Sequence, residues 1–168
     1  GRTSKKLGLI SEEKFKNRGI SYCAVCDGSI YKDKEVLIIG AGDSATEASI
    51  YLSNIASKVT VLYRNKFRSK EYLQDKMNSL SNVELVKGEV VDFSSSLDRI
   101  CVKTTAGDIL VDGVFVYIGQ VPSTSFLNNI VNLDDSYIVV DDNFETSMNG
   151  VYAVGDCLKK LDYQIVIA

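Results

Sequence analysis

A continuous apolar run, Val36-Leu37-Ile38-Ile39, leads straight into Gly40-Ala41-Gly42-Asp43-Ser44-Ala45. Four apolar residues in a row, without polar alternation, suit a strand covered on both faces, as in a parallel sheet. The residues that follow carry a helical pattern over 43–54, with Ala45, Ala48, Ser49 and Leu52 at i, i+3, i+4 and i+7. That face is mostly small, so the helix can lie close to the sheet. Glycine has no Cβ, so the backbone at Gly40 and Gly42 can approach a pyrophosphate closely, and the helix N-terminus adds N–H donors and a positive dipole. Ala45 stands where a third glycine would let helix meet strand. A bare Gly-x-Gly-x-x-Ala is commonly a chance loop. A buried strand before it and a helix after it make it a nucleotide-binding turn.

The nucleotide is read from the end of the second strand, expected over 59–62. A site specific for NAD places Asp or Glu there, about 20 residues past the glycines, for the ribose 2′-OH. This chain has Tyr63-Arg64-Asn65-Lys66-Phe67-Arg68-Ser69-Lys70, with four cations and no carboxylate. Arg64 and Arg68 suit a 2′-phosphate through charge-assisted hydrogen bonds, which points to NADP(H). A polar helix over 69–80 and a third strand over 83–86 follow. The pattern then changes to short alternating strands at 90–93, 99–104 and 108–111, separated by Ser94-Ser95-Ser96 and Ala106-Gly107, which reads as an antiparallel meander. A buried strand over 114–118 ends at Gly119. Beyond Pro122, the only proline, the sequence predicts a short helix over 124–129 and strands over 137–140 and 151–154. A short helix over 11–18 is expected near the start.

The second motif is Cys23-Ala24-Val25-Cys26-Asp27-Gly28. Two cysteines at this spacing can close a disulfide, supply half a zinc site, or lie inert in a core. Structural zinc needs four ligands. Only Cys101 and Cys157 remain, each isolated, and the chain has no histidine, so no metal is expected. Asp27 favours redox work, because thiol–disulfide exchange needs one thiol deprotonated and the other protonated, and a carboxyl can carry that proton. Without histidine, Ser-His and Cys-His pairs are excluded within this chain. A net charge of −3 and a pI near 5.0 argue against a nucleic-acid partner. No apolar run approaches the roughly 20 residues of a membrane span, so a cytoplasmic protein without a membrane partner is expected.

The Cys23–Gly28 motif, the strand, Gly40-x-Gly42-Asp43-Ser44-Ala45, Tyr51-Leu52-Ser53-Asn54-Ile55-Ala56-Ser57 and Gly150-Val151-Tyr152-Ala153-Val154-Gly155-Asp156-Cys157 occur in the order and spacing of one family. The chain resembles bacterial-type thioredoxin reductases, members of the pyridine nucleotide-disulfide oxidoreductases. The resemblance implies a three-layer α/β FAD/NAD(P)-binding (Rossmann-like) fold, with a parallel sheet, helices on one face and an antiparallel β-meander on the other. Residues 5–122 would form an NADP(H)-binding domain that carries the Cys-x-x-Cys, and 1–4 with 123–168 would be segments of an FAD-binding domain. The implied activity passes electrons from NADPH through FAD to a Cys23–Cys26 disulfide, and on to thioredoxin or a thioredoxin-like protein, in a homodimer at full length. By the same resemblance Cys26 lies next to the flavin in one conformation and Asp27 is the acid–base residue. Arg64 and Arg68 face the 2′-phosphate, with Gly40, Gly42, Asp43, Ser44 and Ala45 at the pyrophosphate and Ile118 and Gly119 along the nicotinamide half. Gly155, Asp156 and Gln164 belong to the FAD site.

The chain departs from the family pattern at three places. No second glycine-rich turn stands near the N-terminus, so the chain reads as the nucleotide-and-dithiol portion of a longer protein, inactive by itself. The family's His-Arg-Arg-x-x-x-Arg loop is one residue shorter and one arginine poorer at Tyr63–Arg68. Tyr163 replaces the arginine before Gln164. A related flavoprotein reductase using ferredoxin as donor or a peroxiredoxin system as acceptor, and a non-catalytic NADP(H)-binding module, are the alternative readings.

Overall fold

A computed structural model describes residues 1–159. The chain divides into two compact units, one of Lys6–Gly119 and one of Gly1–Lys5 with Gln120–Ala168. In the second of these, β1 (Arg2–Ser4) pairs antiparallel with a later strand. In Lys6–Gly119 the elements run α1 (Ile10–Phe15), β2 (Ile20–Ser21), α2 (Ala24–Asp27), a 3-10 turn (Gly28–Tyr31), β3 (Glu35–Ile39), α3 (Asp43–Ser53), β4 (Lys58–Tyr63), α4 (Glu71–Asn78), β5 (Val83–Lys87), β6 (Val90–Ser96), β7 (Arg99–Thr104), β8 (Gly107–Val111) and β9 (Gly113–Val116).

Five strands form a parallel sheet in the order β2-β9-β3-β4-β5, and β6-β7-β8 form a separate antiparallel meander. The apolar run of β3 serves both faces of the sheet, because successive side chains in a strand point to opposite sides. Val36 and Ile38 join Val59, Val61 and Phe115 in a core with Ala45, Ala48 and Leu52 of α3 and Met77 of α4. Leu37 and Ile39 join Leu62, Val114 and Val116 in a second core with Phe93, Ile100, Val102 and Val111 of the meander. The sheet is thus the middle of three layers, with helices on one face and the meander on the other. The small face of α3 is buried at Ala45, Ala48, Ser49 and Leu52, and the Ser49 hydroxyl is spent on the Ala45 carbonyl one turn back (2.7 Å). Arg99 clasps meander to sheet. Its guanidinium donates to Glu35 at 2.6 Å and pairs with Asp112 at 3.1 Å.

In the other unit, β1 pairs with β10 (Gln120–Pro122), and β11 (Leu133–Asp134) forms a hairpin with β12 (Tyr137–Ile138) across Asp135 and Ser136. Both turn residues have positive φ, at 48° and 70°, as a two-residue hairpin turn requires. Val131, Ile138 and Leu158 make a small core there.

Several expected boundaries move. The helix expected over 11–18 is Ile10–Phe15, because Asn17 (φ 57°) and Gly19 (φ 115°) turn the chain into β2. The helix expected over 69–80 starts only at Glu71, since Arg68 and Lys70 donate their N–H groups to the glycine turn. Ser94-Ser95-Ser96 is strand rather than loop, with the turn displaced to Leu97-Asp98, both at positive φ. The helix expected over 124–129 is a 3-10 turn at Ser125–Leu127, closed by Asn129 at φ 66°. β12 stops at Ile138, and over 151–154 only Tyr152 makes a bridge, to Glu145. Among the described residues no helix is long and apolar enough to cross a membrane.

Leu52 is fully buried and packs under Gly28, where an added Cβ would come within 2.9 Å of it. Leu52→Ala should therefore cost about 2–5 kcal/mol, read as a lower urea midpoint at unchanged m-value.

Candidate nucleotide and disulfide site

In a parallel sheet all strands end on the same rim, and ligands of such folds bind where the strand order reverses. Here the reversal lies between β3 and β9, since the chain proceeds from β3 to β4 and β5 on one side and returns as β9 on the other. Along the rim stand the dithiol after β2, Tyr117-Ile118-Gly119 after β9, the glycine turn after β3, the basic loop after β4 and Gly88-Glu89 after β5. A cavity of about 550 Å³ opens there, walled by Gly40, Arg64, Arg68, Glu89, Tyr117 and Ile118 among others, with Leu7 and Leu9 at its side.

The two glycines do different work. Gly40 has φ +150°, and a Cβ on it would sit 2.3 Å from the Tyr117 carbonyl oxygen and 3.0 Å from the Ala45 Cβ. It is where turn, β9 and helix meet, and Ala45 is buried against it. Gly42 has an ordinary φ of −100° and precedes α3 with no side chain capping the helix. A Cβ there would meet nothing within 4 Å. The open space at an uncapped helix N-terminus is what a pyrophosphate needs. Ser44 is exposed on the first turn. Asp43 accepts the Lys70 N–H at 2.8 Å, and the Ala41 carbonyl accepts the Arg68 N–H at 2.7 Å. These bonds strap the basic loop to the glycine turn, so Asp43 shapes the site from behind. The rings of Tyr63 and Phe67, tilted at 43° with centroids 4.9 Å apart, pack together in the same loop. Arg64, Lys66 and Arg68 are exposed, line the cavity and make no ion pair among the described residues.

Cys23 and Cys26 are joined as a disulfide, with Cα atoms 5.3 Å apart. Cys23 precedes α2 and its Sγ accepts the Cys26 N–H at 3.2 Å. Cys26 is exposed and Cys23 half-buried. Asp27 ends α2. Its Oδ2 accepts from the buried Ser21 hydroxyl at 2.6 Å, and that hydroxyl accepts the Cys23 N–H at 3.0 Å. Asp27 and the disulfide are therefore held through one serine. Cys101 and Cys157 are free.

The sequence profile of the pyridine nucleotide-disulphide oxidoreductases matches residues 1–167. The chain belongs to the pyridine nucleotide-disulphide oxidoreductase family. It is 39% identical to a thioredoxin reductase of Listeria monocytogenes, over 100% of this chain and 56% of that protein. It superposes on thioredoxin reductase of Lactococcus lactis with a TM-score of 0.89 at 30% identity, covering 99% of this chain and 58% of the other. For thioredoxin reductase of T. acidophilum the values are 0.88 and 34%, over 99% and 58%. The chain spans about half the length of these relatives.

A family member of this kind has a flavin site as well as a nucleotide site. Gly155 and Asp156 belong to the unit of Gly1–Lys5 and the chain from Gln120 onward, with Gly155 at φ 87°. Asp156 Oδ1 is buried and has no hydrogen-bond partner among the described residues. An acceptor left unpartnered fits a ligand hydroxyl. Gln164 lies outside the described residues. Ile118 lines the rim cavity, and Gly119, at φ 111°, closes its unit. The structure thus collects every expected residue from Cys23 to Gly119 on one rim and leaves Gly155 and Asp156 in the second unit.

Three residues of this oxidoreductase site went unread in the sequence. Ser21 braces Asp27. Glu12 is buried, and its carboxylate accepts from the Leu7 and Gly8 N–H groups and the Tyr22 hydroxyl, pinning the cavity's side wall. The Tyr117 hydroxyl oxygen accepts the Ala24 N–H at 2.7 Å. The available signal was weak: a polar or phenolic side chain on a buried segment has to find a partner, but the sequence does not say which.

The two glycines separate by mutation. Gly40→Ala should lower stability by at least about 1 kcal/mol, because its Cβ has no room. Gly42→Ala should leave the melting temperature within a degree or two and weaken NADP⁺ about tenfold or more, by putting a methyl where phosphate oxygens approach the backbone. Calorimetry of both variants checks this.

Proposed function

We propose that this chain is the nucleotide- and disulfide-bearing portion of an NADPH-dependent thioredoxin-disulfide reductase. The observation that carries the reading is the common rim. A formed Cys-x-x-Cys disulfide with an adjacent carboxylate stands on the same sheet edge as an uncapped glycine turn and two arginines that make no ion pair among the described residues. Lys6–Gly119 would be the NADP(H)-binding domain, and the unit of Gly1–Lys5 and the chain from Gln120 onward would be part of an FAD-binding domain. The whole protein would be a cytoplasmic homodimer acting on thioredoxin or a thioredoxin-like protein.

On this reading the glycine turn and the α3 N-terminus hold the pyrophosphate, Arg64 and Arg68 hold the 2′-phosphate, and Ile118 and Gly119 flank the nicotinamide half. Asp156 and Gly155 would hold FAD, which when bound supplies the two-electron relay between a hydride donor and a disulfide. The Cys23–Cys26 disulfide takes up two electrons and two protons to become a dithiol. Asp27 would deliver and collect a proton there; in support, Ser21 fixes one carboxylate oxygen and Oδ1 has no hydrogen bond among the described residues. The exposed Cys26 and Val25 leave the dithiol open to a protein partner.

NADPH should bind at least tenfold more tightly than NADH. Arg64→Ala and Arg68→Ala should each weaken NADPH by about 1.5–3 kcal/mol and leave NADH nearly unchanged, since each removes one charge-assisted contact to the 2′-phosphate. Calorimetric titration measures both. Equal affinities for the two nucleotides, or binding of neither, would overturn the assignment to NADPH and raise the ferredoxin reading. In the full-length protein, Cys26→Ser should abolish thioredoxin reduction while NADPH still bleaches the flavin absorbance.

A further inference from the structure

One side chain belongs both to the nucleotide cavity and to the dithiol helix. Tyr117 follows β9 and lines the cavity. Its backbone is fixed on the cavity side. Its N–H donates to the Ile39 carbonyl at 2.8 Å, and its own carbonyl oxygen fills the space that any Cβ on Gly40 would need. At the other end its phenol oxygen accepts the Ala24 N–H at 2.7 Å. Ala24 is the buried first residue of α2. Its N–H is therefore one of the donors a helix start leaves without an intrahelical acceptor, and a buried donor left unpaired is costly. Burial chiefly holds the Tyr117 hydroxyl above its ordinary pKa; the Ala24 N–H works against it and Asp27 adds a smaller push upward, so the phenol stays neutral and protonated.

We propose that Tyr117 is a positioning residue for the Cys23–Cys26 couple, holding the amino end of the dithiol helix to the nucleotide-binding rim once the disulfide has opened. The proposal rests on the reading that this pair cycles between disulfide and dithiol. A helix of four residues is far too short to persist by itself. In the oxidised protein the S–S bond holds it. When two electrons and two protons convert the disulfide to two thiols, that restraint is gone. The Tyr117–Ala24 hydrogen bond remains, anchored just past the end of β9 in the central sheet. Keeping the two thiols close raises their effective concentration and so favours re-formation of the disulfide. Removing the hydroxyl makes the disulfide easier to reduce.

The test equilibrates the chain with reduced and oxidised glutathione. Two glutathione thiols give two electrons and two protons to the protein disulfide and leave as one glutathione disulfide, and alkylation with mass spectrometry counts the dithiol. Tyr117→Phe should shift the equilibrium toward the dithiol about fivefold, equal to about 20 mV. Tyr22→Phe also loses a 2.7 Å hydrogen bond, but to Glu12 and not to α2, and should leave the equilibrium where it is. Coincidence of Tyr117→Phe with the wild type, or an equal shift in both variants, overturns the proposal. Should Tyr117→Phe fail to fold, amide hydrogen exchange of the reduced wild type decides alone. A protected Ala24 amide supports the tether, and exchange at the rate of an unstructured amide overturns it. A wild-type pair that never equilibrates with glutathione overturns the redox reading, and the tether falls with it. A wild type that equilibrates while Tyr117→Phe does not differ overturns only the tether.

Discussion

Everything on the rim depends on one strand being covered from both sides. β3 hydrogen-bonds to β4 on one edge and β9 on the other, and its side chains alternate between the helical core and the meander core. Its end is consequently fixed in all three directions. The glycine turn that follows inherits that rigidity, as does the position of Tyr117 just past the end of the neighbouring strand. The basic loop after β4 would otherwise be a free surface segment, but two of its N–H groups tie it to the same turn, one to the Ala41 carbonyl and one to the Asp43 carboxylate. Its exposed arginines thus stand on a rigid platform, where binding a phosphate would cost little ordering entropy.

The rim was legible in the sequence where chemistry and backbone geometry coincide. Val36–Ile39 with Gly40 and Gly42 fixes strand, turn and helix together, because few conformations accept four consecutive buried apolar residues followed by two residues without Cβ. The meander was legible as alternation, although its first turn was misplaced. Ser94-Ser95-Ser96 has the composition of a loop, but its residues pair across to Arg99, Ile100 and Cys101, and tertiary pairing overrides local preference. Two elements beside the dithiol escaped notice. β2 has two residues and α2 has four, too few for any periodicity to register.

The side chains that hold the site in shape were the least legible. Asp43 was expected at the nucleotide because the family motif contains it, while its carboxylate is engaged by the Lys70 backbone. Glu12 carries a full set of donors from Leu7, Gly8 and Tyr22, which fits the rule that a buried carboxylate must be satisfied. The opening segment, polar and basic, gave no hint that a residue in it would be among the most buried of the molecule. Burial of a charge is decided by partners distant in sequence, and a single sequence does not list them.

The turn between β6 and β7 offers a practical opening for protein engineering. Leu97 at its tip is 91% exposed, and neither it nor Asp98 lines the cavity or bonds to the dithiol segment. The next residue, Arg99, is clasped by Glu35 and Asp112, which should stop a disturbance at the tip from travelling down the hairpin. A fluorophore or a short affinity handle grafted at this corner would report on the protein without perturbing its redox chemistry.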